Sequence, residues 1–332
     1  MPICVIAQPI HGSAARLLRE AGIEPVQSAG SDLQALRQVI AQADAVIVRD
    51  ALPAELIDRA PHLSVIANHG TGTDKIDVAH ASANGIPVVY TPDANVHAVA
   101  EHALMLMLAI ARQAALADTS SRAGNWRFKY EQPMFSLYGK TLGIIGWGKT
   151  GRLLCDMARN GLQMRILVWS PSLPEQAKLE PGIERVISLA DLLRQADVVS
   201  LHRPLRADTR HTLNASTIAQ MKRGAMVINT SRGGLIDEPA LVDALRSGHL
   251  FGAGLDVFEQ EPLQAGALLA SLPNTILTPH VAGSTQEALE ATALRCVQQI
   301  IEVLSGMRPA HLADPTVWER RRKPATHPNI AD

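Results

Sequence analysis

Three ionisable residues of different types follow one glycine-rich turn in this chain. The turn is GWGKTG (146–151), and the residues are Arg232 in NTSRGGLID, Glu261 in DVFEQEP and His280 in LTPHVAGST. Each residue lies at or just past the end of an apolar, strand-like run, and such strand ends converge on the ligand crevice of an open α/β sheet. A cation, a carboxylate and an imidazole beside a dinucleotide site can move a hydride and a proton together.

The turn has the G-x-G-x-x-G spacing of a dinucleotide-binding loop, and it lies between a strand-like run and a helical pattern. Gly146 permits the tight turn, Gly148 lets the main chain approach a pyrophosphate, and Gly151 lets the helix pack closely on the strand. We assign Lys149 and Thr150 to the same cofactor site, since phosphate is expected at the helix N-terminus. The alternative is a purely structural turn.

The end of the next strand bears on the choice of cofactor. An acidic residue about 20 residues after the turn normally bonds the ribose 2′-hydroxyl, but the strand here ends VWSPS and places Ser170 there. A serine does not repel a 2′-phosphate, yet no arginine follows it to hold one. NAD is therefore favoured, and NADP stays open.

The elements that position these residues form a repeating β/α pattern. From Leu142 onward, six apolar runs of strand length alternate with helical patterns, which predicts a doubly wound, mainly parallel sheet. Burial on both faces explains why the runs are nearly all apolar. The runs are LGIIG (142–146), RILVW (165–169), DVVSL (197–201), AMVIN (225–229), GAGLD (252–256) and TILTP (275–279).

The first part of the chain repeats this theme less regularly and predicts a second, smaller α/β domain. A last helical pattern over 286–304 has no strand after it, so we expect it to return to that domain. The prediction is a Rossmann-type doubly wound domain over 99–285, inserted into a smaller flavodoxin-like domain made of 1–98 and 286–332. The strand-like runs of the smaller domain are ICVIA (3–7), AVIVR (45–49), LSVIA (63–67) and IPVVY (86–90).

Composition excludes several classes of function. The 332 residues are 47% apolar, which suffices for two cores, and the net charge of −1 gives no reason to expect nucleic acid or an anionic membrane. The N-terminus lacks a basic n-region, and the most apolar helix candidate, Ala103–Ala111, is too short to span a bilayer. Cys4, Cys155 and Cys296 fit reduced thiols. No histidines have HExxH spacing, so we expect no bound metal. The reduced thiols and the lack of a signal peptide predict a cytoplasmic protein.

Seven motifs, in order along the chain, resemble the D-isomer-specific 2-hydroxyacid dehydrogenases, a family that includes phosphoglycerate dehydrogenases and glyoxylate/hydroxypyruvate reductases. The resemblance covers most of the chain, roughly from Val46 to Thr285. The motifs are NHGTGTDKID (68–77), TPDANVHAVAEHALMLMLA (91–109), LGIIGWGKTGR (142–152), LHRPLRADTRHTLN (201–214), INTSRGGLID (228–237), GAGLDVFEQEPL (252–263) and LTPHVAGST (277–285).

The resemblance implies a division of labour among the three ionisable residues. His280 looks like the acid/base that gives a proton to the keto oxygen during hydride delivery. Glu261 would hydrogen-bond the imidazole, fix its tautomer and favour its charged form. Arg232 would hold the substrate carboxylate and polarise the carbonyl, because its planar fork suits a carboxylate.

The resemblance also implies further contacts. Main-chain N–H groups of the loop Gly70-Thr71-Gly72 would bind the substrate carboxylate, and glycines there let the main chain come close. Asp256 is similar to an aspartate that contacts the nicotinamide carboxamide, and Thr230 lies in a loop expected near the cofactor. Closure of the two domains about connections near 95–100 and 283–288 would exclude water.

Departures from the family pattern bear on the substrate. Asn68 stands where relatives commonly have a basic residue. Arg49 belongs to a stretch that resembles the phosphate-reading RSR of phosphoglycerate dehydrogenases, but Asp50 follows it and the second arginine is missing. A phosphorylated substrate is thus disfavoured. We also expect no regulatory domain of the kind found in longer phosphoglycerate dehydrogenases.

The sequence thus predicts an NAD(P)-dependent oxidoreductase that interconverts a small unphosphorylated 2-keto acid, like glyoxylate or hydroxypyruvate, and its D-2-hydroxy acid. The alternatives are 3-phosphoglycerate, formate or phosphite oxidation, or a non-catalytic NAD-sensing protein that binds other proteins. The resemblance implies a homodimer, to which the apolar helix from Val99 would contribute.

Overall fold

A computed structural model describes the protein over residues 1–174 and 176–323. The chain forms two compact units. The split unit contains Met1–Asn95 and the chain from Ser284 onward, and the inserted unit contains Val96–Gly283. Each unit has its own parallel sheet, as the alternation of strand-like and helical patterns predicts.

The split unit is built on a five-stranded sheet with strands β1 (Ile3–Ile6), β2 (Glu24–Gln27), β3 (Ala45–Val48), β4 (Val65–Asn68) and β5 (Val88–Val89). All pairs are parallel, and the order β2-β1-β3-β4-β5 is that of flavodoxin-like sheets. Strand β2 was not predicted, because its sequence EPVQ contains a proline and two polar residues. It lies at the edge of the sheet, where proline is tolerated.

The inserted unit is built on a seven-stranded sheet with strands β6 (Thr141–Ile145), β7 (Arg165–Trp169), β8 (Ile183–Arg185), β9 (Val198–Leu201), β10 (Ala225–Asn229), β11 (Leu250–Leu255) and β12 (Thr275–Leu277). The order β12-β11-β10-β9-β6-β7-β8 is parallel throughout and is the doubly wound Rossmann arrangement. Strand β8 was missed because IER has two exposed charged residues and no apolar run. The predicted fold class is confirmed.

Helices alternate with the strands in both units. They are α1 (Ser13–Glu20), α2 (Leu33–Val39), α3 (Ala54–Asp58), α4 (Val78–Ala83), α5 (Val96–Ala111), α6 (Ala114–Arg122), α7 (Phe128–Glu131), α8 (Lys149–Leu162), α9 (Leu189–Gln195), α10 (Ala215–Ile218), α11 (Glu238–Arg246) and α12 (Gln286–Leu304). Short 3₁₀ turns lie at Ile40–Gln42, Gly233–Leu235, Leu268–Ser271 and Pro315–Arg320.

The central strands of both sheets are buried on both faces. Every residue of β3, β6, β9 and β10 is buried, which is why their sequences read as continuous apolar runs. Helix α12 packs on the sheet of the split unit, and Cys296 Sγ lies 3.5 Å from the carbonyl oxygen of Asn68. Cys4, Cys155 and Cys296 are buried free thiols.

Two helices begin directly after loops that carry predicted site residues. Asp237, five residues after Arg232, caps α11 by accepting a hydrogen bond from Ala240 N–H. Thr285, five residues after His280, caps α12 in the same way from Ala288 N–H. An N-cap side chain satisfies an otherwise unpaired helix donor. The loop that carries Arg232 therefore ends at Asp237, and the loop that carries His280 ends at Thr285.

No single helix of the described chain is long and apolar enough to cross a membrane. Helices α5 and α6 together are long and apolar enough to cross a membrane, but they are bent by 59° at the break between them. Buried core helices can have the same length and apolar composition. Helix α5 buries Ala103, Leu106 and Met107, as a core helix does.

Candidate active site

Three neighbouring strands of the inserted unit end beside one another and lead into the predicted catalytic residues. Strands β10, β11 and β12 are adjacent in the sheet. Arg232 follows β10, Glu261 follows β11 and His280 follows β12. The carboxyl ends of parallel strands form the ligand edge of a doubly wound sheet, so the fold brings these three loops to that edge.

His280 and Glu261 are in direct contact. Nδ1 of His280 lies 2.9 Å from Oε2 of Glu261. The other carboxylate oxygen of Glu261 accepts a hydrogen bond of 3.3 Å from the main-chain N–H of Phe258. The His280 side chain is 44% exposed and that of Glu261 is 20% exposed. A carboxylate on Nδ1 orients the ring and defines its tautomer, which leaves Nε2 as the nitrogen that can exchange a proton with a ligand.

The main chain of His280 has an uncommon left-handed conformation, with φ of 55°. For a residue other than glycine this conformation costs roughly 1–2 kcal/mol. Its N–H donates to the carbonyl oxygens of Asp256 (2.8 Å) and Thr278 (3.0 Å). Strain of this kind persists where the surrounding contacts hold it, and it is frequent at functional sites.

The buried carboxylate of Asp256 anchors the loop that carries His280. It accepts hydrogen bonds from Thr278 Oγ1 (2.6 Å) and from the main-chain N–H groups of Val281 (2.8 Å) and Ala282 (2.8 Å). His102 Nε2 lies 2.9 Å from Thr278 Oγ1 and 3.6 Å from Asp256 Oδ1. Asp256 is fully buried. In this structure Asp256 holds the His280 loop, and its contact with a nicotinamide carboxamide stays a prediction.

Thr278 and His102 were not assigned a role from the sequence. Thr278 could have been noticed because it lies two residues before His280, at the end of β12. His102 lies on α5, far away in sequence, and a lone histidine on a helix gives no signal of its own. The contact between them depends on the tertiary packing of α5 near β12.

Arg232 lies in a loop that packs directly on the segment leading to Glu261. Asn229 Nδ2 donates to the carbonyl oxygen of Arg232 (2.8 Å), and Arg232 Nη1 donates to the carbonyl oxygen of Ser231 (2.8 Å). A Cβ atom on Gly233 would lie only 1.8 Å from the carbonyl carbon of Phe258. The absence of a side chain at 233 therefore lets the Arg232 loop and the Phe258–Glu261 segment touch through their main chains.

The glycine turn has the geometry of a phosphate-binding loop. Gly146 has φ of 102°, and a Cβ there would lie 2.4 Å from the carbonyl oxygen of His202. A Cβ on Gly151 would lie 3.0 Å from the Gly146 carbonyl oxygen, whereas one on Gly148 would meet open space. Helix α8 starts at Lys149 with no side chain capping it. Its first N–H groups suit an anion.

Two further predicted cofactor residues are buried hydroxyls. Thr230 is 8% exposed, and its Oγ1 has no hydrogen-bond partner among the described residues. Ser170 is 7% exposed and its Oγ lies 3.0 Å from Ser172 Oγ. An unpaired buried hydroxyl is costly, so Thr230 is consistent with a ligand that completes its bonding. Together with the glycine turn, these residues fit a dinucleotide.

In the split unit, the predicted substrate loop is braced by Asn68. The side-chain amide of Asn68 donates to the carbonyl oxygens of Gly70 and Gly72, both at 3.0 Å. Thr71 Oγ1 lies 3.3 Å from the carbonyl oxygen of Thr91. Because Asn68 is 5% exposed and its amide is occupied, it holds the shape of the loop.

His69 and Arg49 lie close to the braced loop within the split unit. Burial of His69, with a smaller contribution from the charge of Arg49, lowers the pKa of this imidazole to about 4. Its Nε2 has no hydrogen-bond partner in the described chain. Arg49 Nη1 donates to the carbonyl oxygen of Pro9 (3.1 Å), and the neighbouring Asp50 forms an ion pair with Lys75 (3.1 Å).

Over the residues that the structure describes, no group of three or more His, Cys, Asp or Glu side chains is arranged to hold a metal ion.

Comparisons with known proteins agree with this geometry. A family model described as "D-isomer specific 2-hydroxyacid dehydrogenase, NAD binding domain" matches residues 104–282. The chain is 40% identical over 307 residues to the D-3-phosphoglycerate dehydrogenase of Methanocaldococcus jannaschii, covering 91% of this chain and 57% of that protein. It is 38% identical over 305 residues to the hydroxypyruvate reductase of Thermotoga maritima, covering 90% and 97%.

A solved structure is similar over nearly the whole chain. The NADPH-dependent glyoxylate/hydroxypyruvate reductase of Sinorhizobium meliloti superposes with a TM-score of 0.81 and 29% identity, covering 94% of this chain and 98% of that one. The inserted unit is thus an NAD(P)-binding domain of the Rossmann type. The chain belongs to the D-isomer-specific 2-hydroxyacid dehydrogenase family, as its motifs predict. It spans only 57% of the length of the phosphoglycerate dehydrogenase relative.

Proposed function

We propose that this protein is an NAD(P)-dependent reductase of small unphosphorylated 2-keto acids, such as glyoxylate or hydroxypyruvate, and that it forms the corresponding D-2-hydroxy acid. The observation that carries the proposal is the 2.9 Å contact between His280 Nδ1 and Glu261 Oε2. A half-exposed imidazole oriented by a carboxylate is the arrangement that proton exchange with a bound carbonyl needs.

His280 supplies the proton in the proposed reaction. A reduced nicotinamide, when bound, would supply the hydride for the keto carbon. Nε2 of the imidazolium gives its proton to the keto oxygen, and the new C–H and O–H bonds complete the 2-hydroxy acid. The same ring takes the proton back when the reaction is reversed. Glu261 orients the ring and keeps its Nε2 available.

Arg232 and the braced loop hold the carboxylate of the substrate in this proposal. A guanidinium offers two parallel donors to a carboxylate and polarises the neighbouring carbonyl. The main-chain N–H groups of Thr71 and Gly72 supply neutral donors, whereas that of Gly70 donates to the carbonyl oxygen of Asn68 at 2.9 Å and shapes the turn. Asn68 supports this role, because its hydrogen bonds to Gly70 and Gly72 fix the loop before any ligand arrives.

The surroundings of the loop favour an unphosphorylated substrate. The amide of Asn68, at the position where relatives commonly have a basic residue, is occupied by the loop carbonyls. Asp50 adds a negative charge next to Arg49 and is paired with Lys75. Phosphate recognition generally uses clustered cations, so this arrangement disfavours 3-phosphoglycerate. The reductase names of the Thermotoga and Sinorhizobium relatives support the same substrate class.

A spectrophotometric screen of 2-keto acids with NADH and NADPH tests the proposal. Oxidation of reduced cofactor with glyoxylate or hydroxypyruvate is expected, with much weaker oxidation of 3-phosphoglycerate in the reverse direction. Preferred use of 3-phosphoglycerate, formate or phosphite would replace the substrate class. Cofactor binding with no turnover of any of these compounds would favour an NAD-sensing protein.

We also propose that the protein is a homodimer through an aromatic arm, residues 112–138. Helices α6 and α7 in this arm have no buried residue. Trp126 is 76% exposed, Tyr130 78% and Tyr138 65%. Large aromatic side chains are enriched at interfaces. Light scattering is expected to give a dimer mass for the parent and a monomer mass for Trp126→Glu/Tyr130→Glu; a monomeric parent would refute the proposal.

A further inference from the structure

Arg203 lies between the glycine turn and the end of β7, although neither neighbour is close to it in sequence. It follows β9, and its Cγ would lie 2.9 Å from a Cβ placed on Gly146. Its guanidinium carbon lies 5.2 Å from the centroid of the Trp169 ring, a cation–π distance. Trp169 is the last residue of β7 and directly precedes Ser170. The guanidinium is thus held next to the strand end that reads the ribose in Rossmann domains.

The positive charge of Arg203 is poorly compensated. The side chain is only 14% exposed, and burial lowers the pKa of the guanidinium, which still stays charged at neutral pH. Its ion-pair partner is Asp208 at 3.7 Å, and that carboxylate is 71% exposed. Within the described chain the guanidinium makes no hydrogen bond. A largely buried cation with one distant, solvated partner gains much from an anion that can reach it.

The loop that carries Arg203 is fixed before any ligand binds. Ser231 Oγ donates to the carbonyl oxygen of Arg203 (2.6 Å). Thr209 Oγ1 accepts from the N–H of Arg206 (2.7 Å) and donates to the carbonyl oxygen of Pro204 (2.8 Å). Thr209 therefore shapes this loop through its hydroxyl group. A preorganised cation binds an anion with less loss of conformational entropy.

We infer that Arg203, together with the hydroxyl groups of Ser170 and Ser172, binds the 2′-phosphate of NADP(H) and gives this protein a preference for the phosphorylated cofactor. The inference rests on the dinucleotide site of the proposed function. Ser170 stands where an acidic residue would repel the phosphate, and its Oγ lies 3.0 Å from that of Ser172. The cation that the sequence lacks after β7 is supplied by the loop after β9.

An opposing role for Arg203 is to stack on the adenine ring, as it does on Trp169. Stacking acts on NADH and NADPH alike, because both contain the same adenine. A phosphate contact acts on NADPH alone. The ratio of the two affinities therefore separates the two roles, and it can be measured with fragments that carry no nicotinamide.

The test compares the binding of 2′,5′-ADP and 5′-AMP to the full-length protein by calorimetry. The parent should bind 2′,5′-ADP at least about tenfold more tightly than 5′-AMP, as a charge-assisted contact predicts. Arg203→Ala should remove that preference and leave 5′-AMP binding nearly unchanged. A parent without the preference, or an equal loss of both fragments in Arg203→Ala, would overturn the inference.

Matched variants guard against misfolding and general charge effects. Arg152→Ala removes another arginine that lies over a tryptophan, Trp147 at 5.5 Å, and should leave the fragment ratio unchanged. Asp208→Asn should raise 2′,5′-ADP affinity, because it removes the carboxylate that competes for Arg203, and Ser170→Asp should reverse the preference. A changed ratio in Arg152→Ala, or unchanged ratios in both other variants, would contradict the assignment. Since no turnover is measured, failure of the proposed reaction would not affect the result.

Discussion

The two sheets present different kinds of group at their strand ends. In the inserted unit the loops after β10, β11 and β12 carry charged side chains, and His280 is paired with Glu261 at 2.9 Å. In the split unit the loop after β4 carries main-chain N–H groups, and the side-chain amide of Asn68 donates to the carbonyl oxygens of Gly70 and Gly72 in this loop. In the proposed function the first unit exchanges the proton, and the second binds a carboxylate through neutral donors.

The two units thus differ in the chemistry of their strand ends although their folds belong to the same class. Charged groups need compensation, so the inserted unit pairs the His280 ring with Glu261, while the buried carboxylate of Asp256 anchors the loop that carries it. Neutral main-chain donors need only a fixed geometry, which one asparagine supplies. We expect changes in the inserted unit to reduce the rate of the chemical step, and changes in the split unit to affect substrate affinity.

The largest effect is expected from His280→Asn. Asparagine tolerates the left-handed main chain at this position, where φ is 55°, so the change removes the proton donor without adding strain. Turnover of the best 2-keto acid should fall on the order of 10³-fold or more, while reduced-cofactor affinity survives. Stopped-flow turnover and cofactor titration measure the two quantities. A variant with near-parental turnover would exclude His280 as the acid/base.

Arg232→Ala should have the second-largest effect. Loss of the guanidinium removes both the carboxylate contact and the polarisation of the carbonyl, so kcat/KM should fall on the order of 10²-fold. Arg232→Lys is the control, because it keeps the charge and loses the planar fork; it should recover only part of the loss. Steady-state kinetics with one 2-keto acid decides the matter. Unchanged kcat/KM in the alanine variant would place Arg232 outside the site.

His69 should make the stability of the split unit depend on pH. Its pKa is lowered by burial from 6.5 to about 4, so the unfolded chain binds more protons between these values and stability is lost as pH falls through this range. At pH 5 the loss relative to pH 7 is about 2 kcal/mol. His69→Gln should lose about 2 kcal/mol less over the same interval. Urea unfolding at both pH values tests this, and equal losses would contradict it.

The smallest effect is expected from Asn68→Leu, which keeps the side-chain volume and removes both donors to the loop. The KM for the 2-keto acid should rise about tenfold, since two hydrogen bonds of about 0.7 kcal/mol each no longer fix the loop. The kcat and the cofactor affinity should change little. Equal kinetic constants in parent and variant would mean that the braced loop does not bind substrate.

The sequence predicted the fold class because strand and helix periodicity is strong in the buried elements. It missed β2 and β8, whose edge positions allow a proline or exposed charges. The His280–Glu261 contact agrees with the expectation from the family motifs.

Local sequence could not show contacts that tertiary packing creates. His102 reaches Thr278 from α5, and Arg203 reaches Trp169 from the loop after β9. The left-handed conformation of His280 was also invisible, since nothing in LTPHVAGST requires it.

Gly233 imposes a constraint on how this site can evolve. Any side chain there would collide with the main chain at Phe258 and force the Arg232 loop away from the segment that carries Glu261. The positions of Arg232 and Glu261 therefore both depend on the contact at Gly233, a residue that takes no part in the chemistry. Substitutions that adapt the site to new substrates must leave Gly233 unchanged. The separate loop of Asn68 and Gly70 tolerates such substitutions more easily.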